Sequence, residues 1–385
     1  MIIIFWITIF VILLYLGYPL WVLVFQNGDP GSPDEMSEAN EPDGISVILL
    51  SYNGKDYLHG KITFLLKELS GIKKQELIVI DDKSTDGSQE ILGCFRGMNR
   101  VAIILNDQHE GIPCSMNKGV AVARYEYVVF CDQRQQLSDH IFQRIVEPLN
   151  NKNIGAVSGC ISNIDKGKRY SAIRRFENFI KSAESKTGSL IGVYGPLYAV
   201  KKSSYSTIPE NIVLDDLYLS LKILRSKRIV LREDCLIFDD DPVALYNYER
   251  IRRYLTGFLQ IMKEKDLISA LSTRHKIMLM WHKYLRLIIP LLVFTSYLIS
   301  GILALTEKEY LVLFCLLSFF GLISFVPVRF GYSAFHPNLI RMNILYFIGF
   351  IDVFFNRLLL RKNPGTNSRI ATAGQVKLKK NTPEN

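Results

Sequence analysis

Apolar residues are unevenly distributed along the chain, and the first run of them is the longest without a charge. Residues 2–25 are almost entirely apolar, which is long enough to cross a hydrocarbon core of ~30 Å. No basic segment precedes the run and no A-x-A-like cleavage site follows it. The pattern therefore favours a retained transmembrane anchor over residues 1–25 rather than a cleaved signal peptide. Residues 26–44 are polar, acidic and rich in glycine and proline, which predicts a linker.

In the next part of the chain, short apolar runs alternate with segments whose apolar residues recur at helical spacing. Strands are predicted at 45–50, 76–82, 100–106, 125–132 and 155–161. Helices are predicted at 56–69, 86–95, 113–124 and about 138–149. This alternation predicts an α/β fold with a mostly parallel sheet flanked by helices. The loops at the carboxyl ends of such strands build a ligand crevice.

The last third of the chain is again apolar and predicts further membrane segments. Two runs joined by a short polar turn predict a transmembrane hairpin over residues 285–328. A third run, residues 339–360, is interrupted by Arg341, Asn343, Asp352 and Asn356. It is therefore either an interfacial helix or a fourth membrane span. Residues 245–262 place arginines opposite leucines and isoleucines, which predicts an amphipathic helix at the membrane surface.

The charge distribution predicts the orientation of these segments. The formal net charge is +9, with 46 Lys and Arg against 37 Asp and Glu. Basic residues are frequent in the tail, residues 361–385, and in the stretch 274–286 before the hairpin. The positive-inside rule places both in the cytoplasm, which three spans satisfy and four do not. We therefore expect a multi-pass protein of the cell membrane, with residues 45–265 as a cytoplasmic catalytic domain.

Composition excludes several other classes of protein. The chain contains no RRM, KH, zinc-finger or helix-turn-helix pattern, so its basic charge does not indicate nucleic-acid binding. Six scattered cysteines form no C-x-x-C pair and support neither a disulfide framework nor a zinc site. Reduced thiols fit a cytoplasmic domain. The predicted spans contain few charges, which argues against a transporter or channel.

Acidic residues recur at the predicted ends of strands and in loops. They are Asp81-Asp82, Asp132, Asp215-Asp216 and Asp239-Asp240-Asp241. Acids are common in loops and helix caps, so one such site alone carries little information. Their serial placement along a parallel sheet instead favours a site for a nucleoside diphosphate and a divalent cation.

Six stretches together resemble the family 2 glycosyltransferases, over about residues 45–260. They are SVILLSYNGKDYL, ELIVIDDKSTDGS, GIPCSMNKGVAVA, VVFCDQRQQL, GPLYAVKK and VLDDLYLSLKI. The resemblance implies an α/β fold of the GT-A type and an inverting transfer of a sugar, of the hexosyltransferase type, from a nucleotide sugar. CDQRQQ and WHKYLR resemble a polysaccharide-synthase-like branch in which arginine replaces the second acid of the metal motif.

The resemblance implies roles for individual residues on the donor side. Tyr52 and Asn53 match the loop that packs on the nucleotide. Asp82, with Asp81 beside it, matches the acid that contacts uracil or its ribose. Asp132 matches the first acid of the metal motif and implies Mg²⁺ or Mn²⁺ as cofactor.

The same resemblance assigns the reacting side. Asp216 matches the general base, and Asp215 takes the place of a glutamate beside it. Arg253 is a candidate for binding the diphosphate, although Arg250 and Tyr254 replace the glutamine and tryptophan of the usual Gln-x-x-Arg-Trp element. A single base with no nucleophile implies one displacement and hence inversion.

Arg134 has two open interpretations. In the first, Arg134 binds phosphate, as arginine does well, and so partly replaces the charged contact that the second acid of the motif would make. In the second, Arg134 forms an ion pair with a neighbouring acid. Two further pairs of residues are weaker candidates for a role in the site. Glu177 and Glu184, within residues 172–186, predict a solvated helix face more readily than an acceptor groove, and His282 with Lys283 predicts interfacial anchoring.

The predicted function is transfer of a sugar, from UDP by preference, to a lipid-linked or polysaccharide acceptor at the cytoplasmic membrane face. A processive synthase that exports its own polymer is less favoured, because few spans remain to line a channel. The alternative is a catalytically impaired scaffold in a polysaccharide-assembly complex, which the altered metal motif would explain. Nucleotide-sugar turnover with a divalent metal separates the two.

Overall fold

The protein is described here from a computed structural model. The structure describes residues 44–162, 172–238 and 248–308. Shorter described parts are positions 6, 9–11, 13–14, 17–24, 164–165, 168–169, 310–312, 314–315, 318 and 345–353.

Within these residues, ten strands form one large sheet and one small ribbon. The strands are β1 Ile45–Ser51, β2 Gln75–Asp81, β3 Val101–Leu105, β4 Tyr127–Asp132, β5 Gln136–Leu137, β6 Ile154–Ile161, β7 Ile164–Asp165, β8 Lys168–Arg169, β9 Leu197–Lys201 and β10 Arg228–Phe238. The large sheet has the order β3-β2-β1-β4-β9-β6-β10-β5, and β7 pairs with β8 in the ribbon. Strands β3, β2, β1 and β4 are parallel, β6 and β10 are parallel, and β9 joins the two groups by antiparallel pairing.

The described helices cover both faces of the sheet and continue beyond it. They are α1 Tyr18–Val24, α2 Lys55–Leu69, α3 Ser88–Gly93, α4 Ile112–Val122, α5 Ile141–Val146, α6 Ala172–Lys186, α7 Asp215–Ile223, α8 Tyr248–Lys263, α9 Lys265–Ser269, α10 Thr273–Met278 and α11 Arg286–Leu303. Two 3₁₀ turns, Glu147–Asn150 and Lys202–Ser204, and a π-helical segment, Leu279–Leu285, lie between them.

The central strands are buried on both faces, which is why their sequences are continuous apolar runs. Successive side chains of a strand point to opposite faces, and the two hydrophobic cores follow this alternation. Ile48 and Ile80 belong to one core, with helix α4 and the α7–α8 region. Val47 and Leu49 belong to the other, with helices α2 and α5. The sheet is thereby fixed between two apolar layers, and its carboxyl edge is the open side.

The predicted α/β fold with a mostly parallel sheet is confirmed. All five predicted strands are present, and the four predicted helices begin and end within a few residues of the predicted limits. Strands β9 and β10 were not predicted. Strand β10 was hidden by its charged centre, Arg232 to Asp234, where the register with β6 shifts between Leu231 and Leu236. Such a bulge interrupts the apolar pattern of a strand.

The predicted membrane segments are only partly described. Among the described residues, no single helix has the length and hydropathy to cross a bilayer. A bent pair, Thr273–Ile289 and Phe294–Leu303 at 51°, passes the same test only in combination. The linker 26–43 and the tail 361–385 lie outside the described residues, as do Asp239 to Asp241 and parts of the predicted hairpin and anchor. The membrane topology therefore stays a prediction.

The predicted amphipathic helix 245–262 is observed as α8, from Tyr248. Its apolar side chains pack inside the protein. Ile251 and Leu255 contact Val353 of the segment 345–353, and Phe258 and Ile261 enter the main core. The hydrogen bond from Tyr248 Oη to Asp352 Oδ2, 2.8 Å long, joins the same two elements.

Candidate active site

Three strand ends bring the predicted donor residues to one edge of the sheet. The parallel register pairs Ser51 of β1 with Asp81 of β2, and Leu50 of β1 with Asp132 of β4. The loops that follow β1, β2 and β4 therefore begin side by side. This edge is the crevice that the sequence predicts at the carboxyl ends of the strands.

Asp82 organises the loop that follows β3. Its Oδ1 accepts the amide of Glu110 at 2.8 Å and the side-chain amide of Asn106 at 2.8 Å. Its Oδ2 accepts the amide of Gly111 at 2.7 Å and lies 2.8 Å from Nδ1 of His109. A carboxylate bound by two backbone amides holds the loop in one conformation and sets the shape of this side of the crevice.

Asp81 is more buried than Asp82, and its carboxylate accepts hydrogen bonds from residues close to it in the chain. Its carboxylate accepts the Ser84 amide at 3.0 Å, the Ser84 hydroxyl at 2.5 Å and the Gln89 side-chain amide at 3.2 Å. Its relative exposure is 0%. In this structure Asp81 holds the turn after β2 and presents no exposed surface to a donor.

Tyr52 and His109 form an aromatic wall above Asp82. Their ring centroids are 4.3 Å apart with 32° between the planes. Asn53, in a left-handed conformation with φ 46°, fixes the loop by accepting the Thr85 amide at 2.8 Å. A flat, partly exposed aromatic surface beside hydrogen-bonding groups suits stacking against a nucleobase. The sequence alone predicts no role for His109, because its partner Asp82 is distant in the chain.

The loop after β4 carries Asp132, which is partly exposed, and Arg134, which is exposed. Gln133 ties this loop to the first one through a hydrogen bond from its Nε2 to the Tyr52 carbonyl, 3.0 Å long. No ion pair or hydrogen bond engages Arg134 within the described part of the chain. Its side chain is exposed, two residues after Asp132 in the sequence.

A buried lysine supports the loop from below. The Lys61 ammonium of α2 is 7% exposed and donates to the Gln135 carbonyl at 2.7 Å. Burial lowers the pKa of Lys61, and the charge of Asp132 opposes that change. The sequence offered a signal, since Lys61 falls on the same helical face as the buried residues Leu58, Ile62 and Leu65.

Asp215 and Asp216 occupy the first turn of α7. The partial positive charge of a helix N-terminus favours carboxylates there, and Asp216 Oδ1 accepts the Leu217 amide at 2.7 Å. Burial and the neighbouring charges of Asp216 and Asp132 nevertheless raise the pKa of Asp215 to about 7, while Arg253 opposes the rise. Burial also raises the pKa of Asp216, against the charges of Lys283 and Lys181.

These interactions bring the predicted reacting residues into one electrostatic unit. Asp132 from β4 and Arg253 from α8 both act on the carboxyl pair at the start of α7. The pair titrates jointly, and one of its protons is held to a higher pH than an ordinary aspartate allows. A group that is ionised near neutral pH and basic enough to accept a proton is what general-base chemistry requires.

The turn after α6 approaches the pair closely. A Cβ added at Gly195 would lie 3.2 Å from Asp216 Oδ2, whereas one at Gly192 would make only ordinary contacts, the nearest at 3.4 Å to Leu217. Glycine at 195 therefore allows the backbone to lie directly against the carboxylate.

One sequence interpretation behind this turn was wrong. Glu184 was expected on a solvated face, but its side chain is 0% exposed and His282 Nδ1 lies 2.6 Å from its Oε1. The error arises because burial here depends on α1, α6 and the segment 279–285 packing together, which no local pattern encodes. The His282 side chain is 3% exposed, and the interfacial anchoring of His282 and Lys283 stays a prediction.

The raised pKa of Asp215 predicts a pH-dependent stability. The unfolded chain releases this proton near pH 3.9 and the folded chain near pH 7, so stability is lost as pH rises between these values. Asp215→Asn removes the loss. We expect the purified variant to melt at least about 2 °C above the parent at pH 8, and the gain to shrink toward pH 4.

Asp234→Asn is the matched control. Arg232 lowers the pKa of Asp234, so ionised Asp234 contributes stability that is present at pH 8. This variant should melt at or below the parent temperature at pH 8. Identical melting of the Asp215→Asn variant and the parent across the pH range would contradict a charged, desolvated Asp215.

Comparison with known proteins shows a family match over part of the chain. Residues 46–206 match the family model described as "Glycosyl transferase family 2". The poly-beta-1,6-N-acetyl-D-glucosamine synthase of Staphylococcus epidermidis is 25% identical over 196 residues, which are 49% of this chain and 47% of that protein. Glycosyltransferase GlyA of Streptococcus pneumoniae is 25% identical over 253 residues, 60% of this chain and 34% of that protein. The chain thus spans about half the length, or less, of these relatives.

The fold has a solved counterpart. The mannosyltransferase PcManGT from Pyrobaculum calidifontis, solved in complex with GDP-Man and Mn²⁺, superimposes with a TM-score of 0.72 at 18% identity. The match covers 92% of this chain and 99% of that chain. Residues 46–206, from β1 to β9, thus match the model of glycosyltransferase family 2, and the chain has an α/β fold of the GT-A type.

Proposed function

We propose that the protein transfers a sugar from a UDP-sugar to a hydroxyl group of a lipid-linked or polysaccharide acceptor, with inversion at the anomeric carbon. The observation that carries the proposal is the electrostatic unit of Asp132, Asp215 and Asp216 at the same sheet edge as the Tyr52–His109 wall. One side of this crevice suits a nucleotide, and the other suits proton removal.

On the donor side, the base would stack on the Tyr52–His109 wall, with Asp82 and Asn53 shaping the loops around it. Arg134 at the mouth and Arg253 near Asp215 would receive the diphosphate, whose negative charge increases as the sugar leaves. Guanidinium groups stabilise that developing charge more than they stabilise the bound donor.

The donor set fits one divalent cation, Mg²⁺ or Mn²⁺. Within the described residues, no group of three or more His, Cys, Asp or Glu side chains is arranged to hold a metal ion. Mg²⁺ usually takes one or two protein carboxylates and completes its shell with water and substrate phosphates. Asp132 is the partly exposed carboxylate that would hold it. When bound, the ion would neutralise negative charge on the diphosphate.

On the acceptor side, Asp216 would remove the proton of the attacking hydroxyl. Its carboxylate lies against the backbone of Gly195 and is oriented by the Leu217 amide. Burial and the charges of Asp216 and Asp132 raise the pKa of Asp215, its neighbour. A single carboxylate base and no protein nucleophile lead to one displacement, and hence to inversion.

The acceptor class is proposed from the relatives and the predicted topology. The staphylococcal relatives are named for synthesis of poly-beta-1,6-N-acetyl-D-glucosamine. The apolar helix α11 follows the segment that contains Lys283, which acts on Asp216. An acceptor delivered from the cytoplasmic face of a membrane would reach Asp216 from that side. This supports a multi-pass membrane enzyme with its catalytic domain in the cytoplasm.

The alternative is a catalytically impaired scaffold, which the Asp-Gln-Arg sequence at residues 132–134 would explain. The charged unit at the start of α7 weighs against it. Two carboxylates kept close together in a desolvated site cost stability, and such perturbed groups are typical of functional sites.

The first prediction is loss of turnover when the base is removed. Membranes containing the protein are incubated with Mg²⁺ or Mn²⁺ and a panel of UDP-sugars that begins with UDP-N-acetylglucosamine, and UDP release is measured. Asp216→Asn should lower release at least about 100-fold, because a general base contributes roughly 10²–10⁴-fold. Chelation of the metal should stop release, and added Mn²⁺ or Mg²⁺ should restore it.

Asp266→Asn, an exposed isosteric change on α9, is the control and should leave release unchanged. Equal release by the parent and Asp216→Asn would remove Asp216 from the mechanism. No release by the folded parent with any donor, despite supplied lipids, would favour the scaffold.

The second prediction concerns Arg134. Arg134→Met should raise the KM for the donor roughly tenfold or more, because a charge-assisted contact to phosphate is lost. Arg225→Met, an exposed arginine at the end of α7, is the control. Arg134→Asp restores a second acid, and a variant with tighter metal binding and undiminished turnover would contradict the phosphate role.

The third prediction tests the backbone approach at the base. Gly195→Ala should lower kcat roughly tenfold, because its Cβ must displace the Asp216 carboxylate by a few tenths of an ångström and catalysis is sensitive to such displacement. Gly192→Ala, in the same turn, should change kcat much less. Equal effects of the two substitutions would show that the contact at 195 does not position the base.

A further inference from the structure

A buried polar cluster lies against the turn before β9. It is presented by one side of helix α6, where Asn178, Lys181 and Glu184 recur at intervals of three residues. Their relative exposures are 8%, 1% and 0%. Residues of these types are rarely buried unless each has a partner, so the cluster is expected to have a specific role.

The cluster holds the backbone of the turn before β9. The Lys181 ammonium donates to the Gly192 carbonyl at 2.5 Å and lies 4.1 Å from the centre of the Tyr194 ring. Glu184 Oε2 accepts the Ile191 amide at 3.4 Å. Three contacts from one helix face thus hold residues 191, 192 and 194.

The other end of the same turn packs against the candidate base, Asp216. The Val193 amide donates to Ser220 Oγ at 3.2 Å, and Ser220 donates to the Asp216 carbonyl at 2.6 Å. Gly195 then lies directly against the Asp216 carboxylate. A displacement of the turn would therefore move the groups that pack around Asp216.

Lys181 also acts on the site by its charge. It is faced by Glu177 and Glu184 from its own helix, by Asp216 from α7 and by Lys283 from the π-helical segment. Burial and the repulsion of Lys283 lower the pKa of Lys181 to about 8, and the three carboxylates oppose this. In the other direction, Lys283 and Lys181 hold down the pKa that burial raises at Asp216.

Glu184 is shared among several partners and fixes the helix. Tyr18 Oη donates to its Oε1 at 2.5 Å, and His282 Nδ1 lies 2.6 Å from the same oxygen. His282 Nε2 lies 3.5 Å from Glu177 Oε1 on the preceding turns of α6. The helix that carries Lys181 is thereby held by both α1 and the segment 279–285.

We propose that Lys181 is a positioning residue for the candidate base Asp216: its ammonium fixes the turn 191–195 against the carboxylate and places a buried positive charge behind it. The inference rests on the proposed function, because it gives Asp216 the role of base. Lys181 contacts no part of the donor crevice described above, so it acts on catalysis only through Asp216 and the turn.

The test compares Lys181→Met, which removes both the charge and the donor, with Lys181→Gln, which keeps a donor without the charge. Lys186→Met on the solvent side of the same helix is the control, because Lys186 is 65% exposed and lies 3.7 Å from Glu233. Folding of each full-length variant is checked by its melting curve. The kinetic readouts are kcat, the KM for the donor and the pH profile of kcat/KM.

We expect Lys181→Met to lower kcat roughly 10- to 100-fold, with a donor KM within about threefold of the parent. Both variants should shift the acid limb of kcat/KM to higher pH, since a positive charge beside Asp216 is lost. Lys181→Gln should retain more of kcat than Lys181→Met, because it can still hold the Gly192 carbonyl. Lys186→Met should match the parent in every readout.

A second measurement does not depend on turnover. The carboxyl infrared band of Asp216 is isolated by subtracting the spectrum of Asp216→Asn in each background, and its protonation is followed with pH. A shift to higher pH in Lys181→Gln supports the proposal even when no donor is turned over, a result that would count against the proposed function alone. An unchanged infrared titration together with an unchanged acid limb in an active, folded Lys181→Gln would overturn it and leave the proposed function standing.

Discussion

Mutual repulsion among carboxylates at one sheet edge is the constraint on which this site depends. Asp132 ends β4, Asp215 and Asp216 begin α7, and the charges of Asp132 and Asp216 both act on Asp215. Unbalanced charges that close together would separate the loops or become protonated. Two buried lysines reduce this repulsion. Lys61 faces Asp132 from α2, and Lys181 faces Asp216 from α6.

The two lysines do the same two things. Each donates to a backbone carbonyl in an active-site loop, Gln135 for Lys61 and Gly192 for Lys181. Each also places positive charge behind a carboxylate without covering its open face. A surface ion pair would achieve little here, because solvent would screen it and its side chains would move. Burial makes each charge effective, at a cost in stability that only a well-packed helix can offset.

Much of the fold was predictable from the sequence because its determinants are local. Apolar runs bounded by polar turns identified β1 to β4 and β6, and their order along the chain placed Asp82 and Asp132 at one edge. Strand β9 could not be found this way, because a five-residue antiparallel strand between β4 and β6 is specified by its neighbours on both sides. The pairing of His109 with Asp82 depends likewise on a loop that only the folded sheet brings back.

Buried charges were the least predictable part of the site, and they connect its chemistry to the rest of the chain. A lysine or glutamate in a helical segment is expected to face the solvent, because these residues are mostly exposed in folded proteins. Lys181 and Glu184 are buried only because of tertiary packing. The packing in question comes from α1 and the segment before α11, through Tyr18 and His282. Helix α1 lies within the predicted anchor, and the segment 279–285 comes directly before the predicted hairpin. Helix α6 connects these two elements to the turn that contacts Asp216, so the geometry of the base depends on how they pack against the catalytic domain.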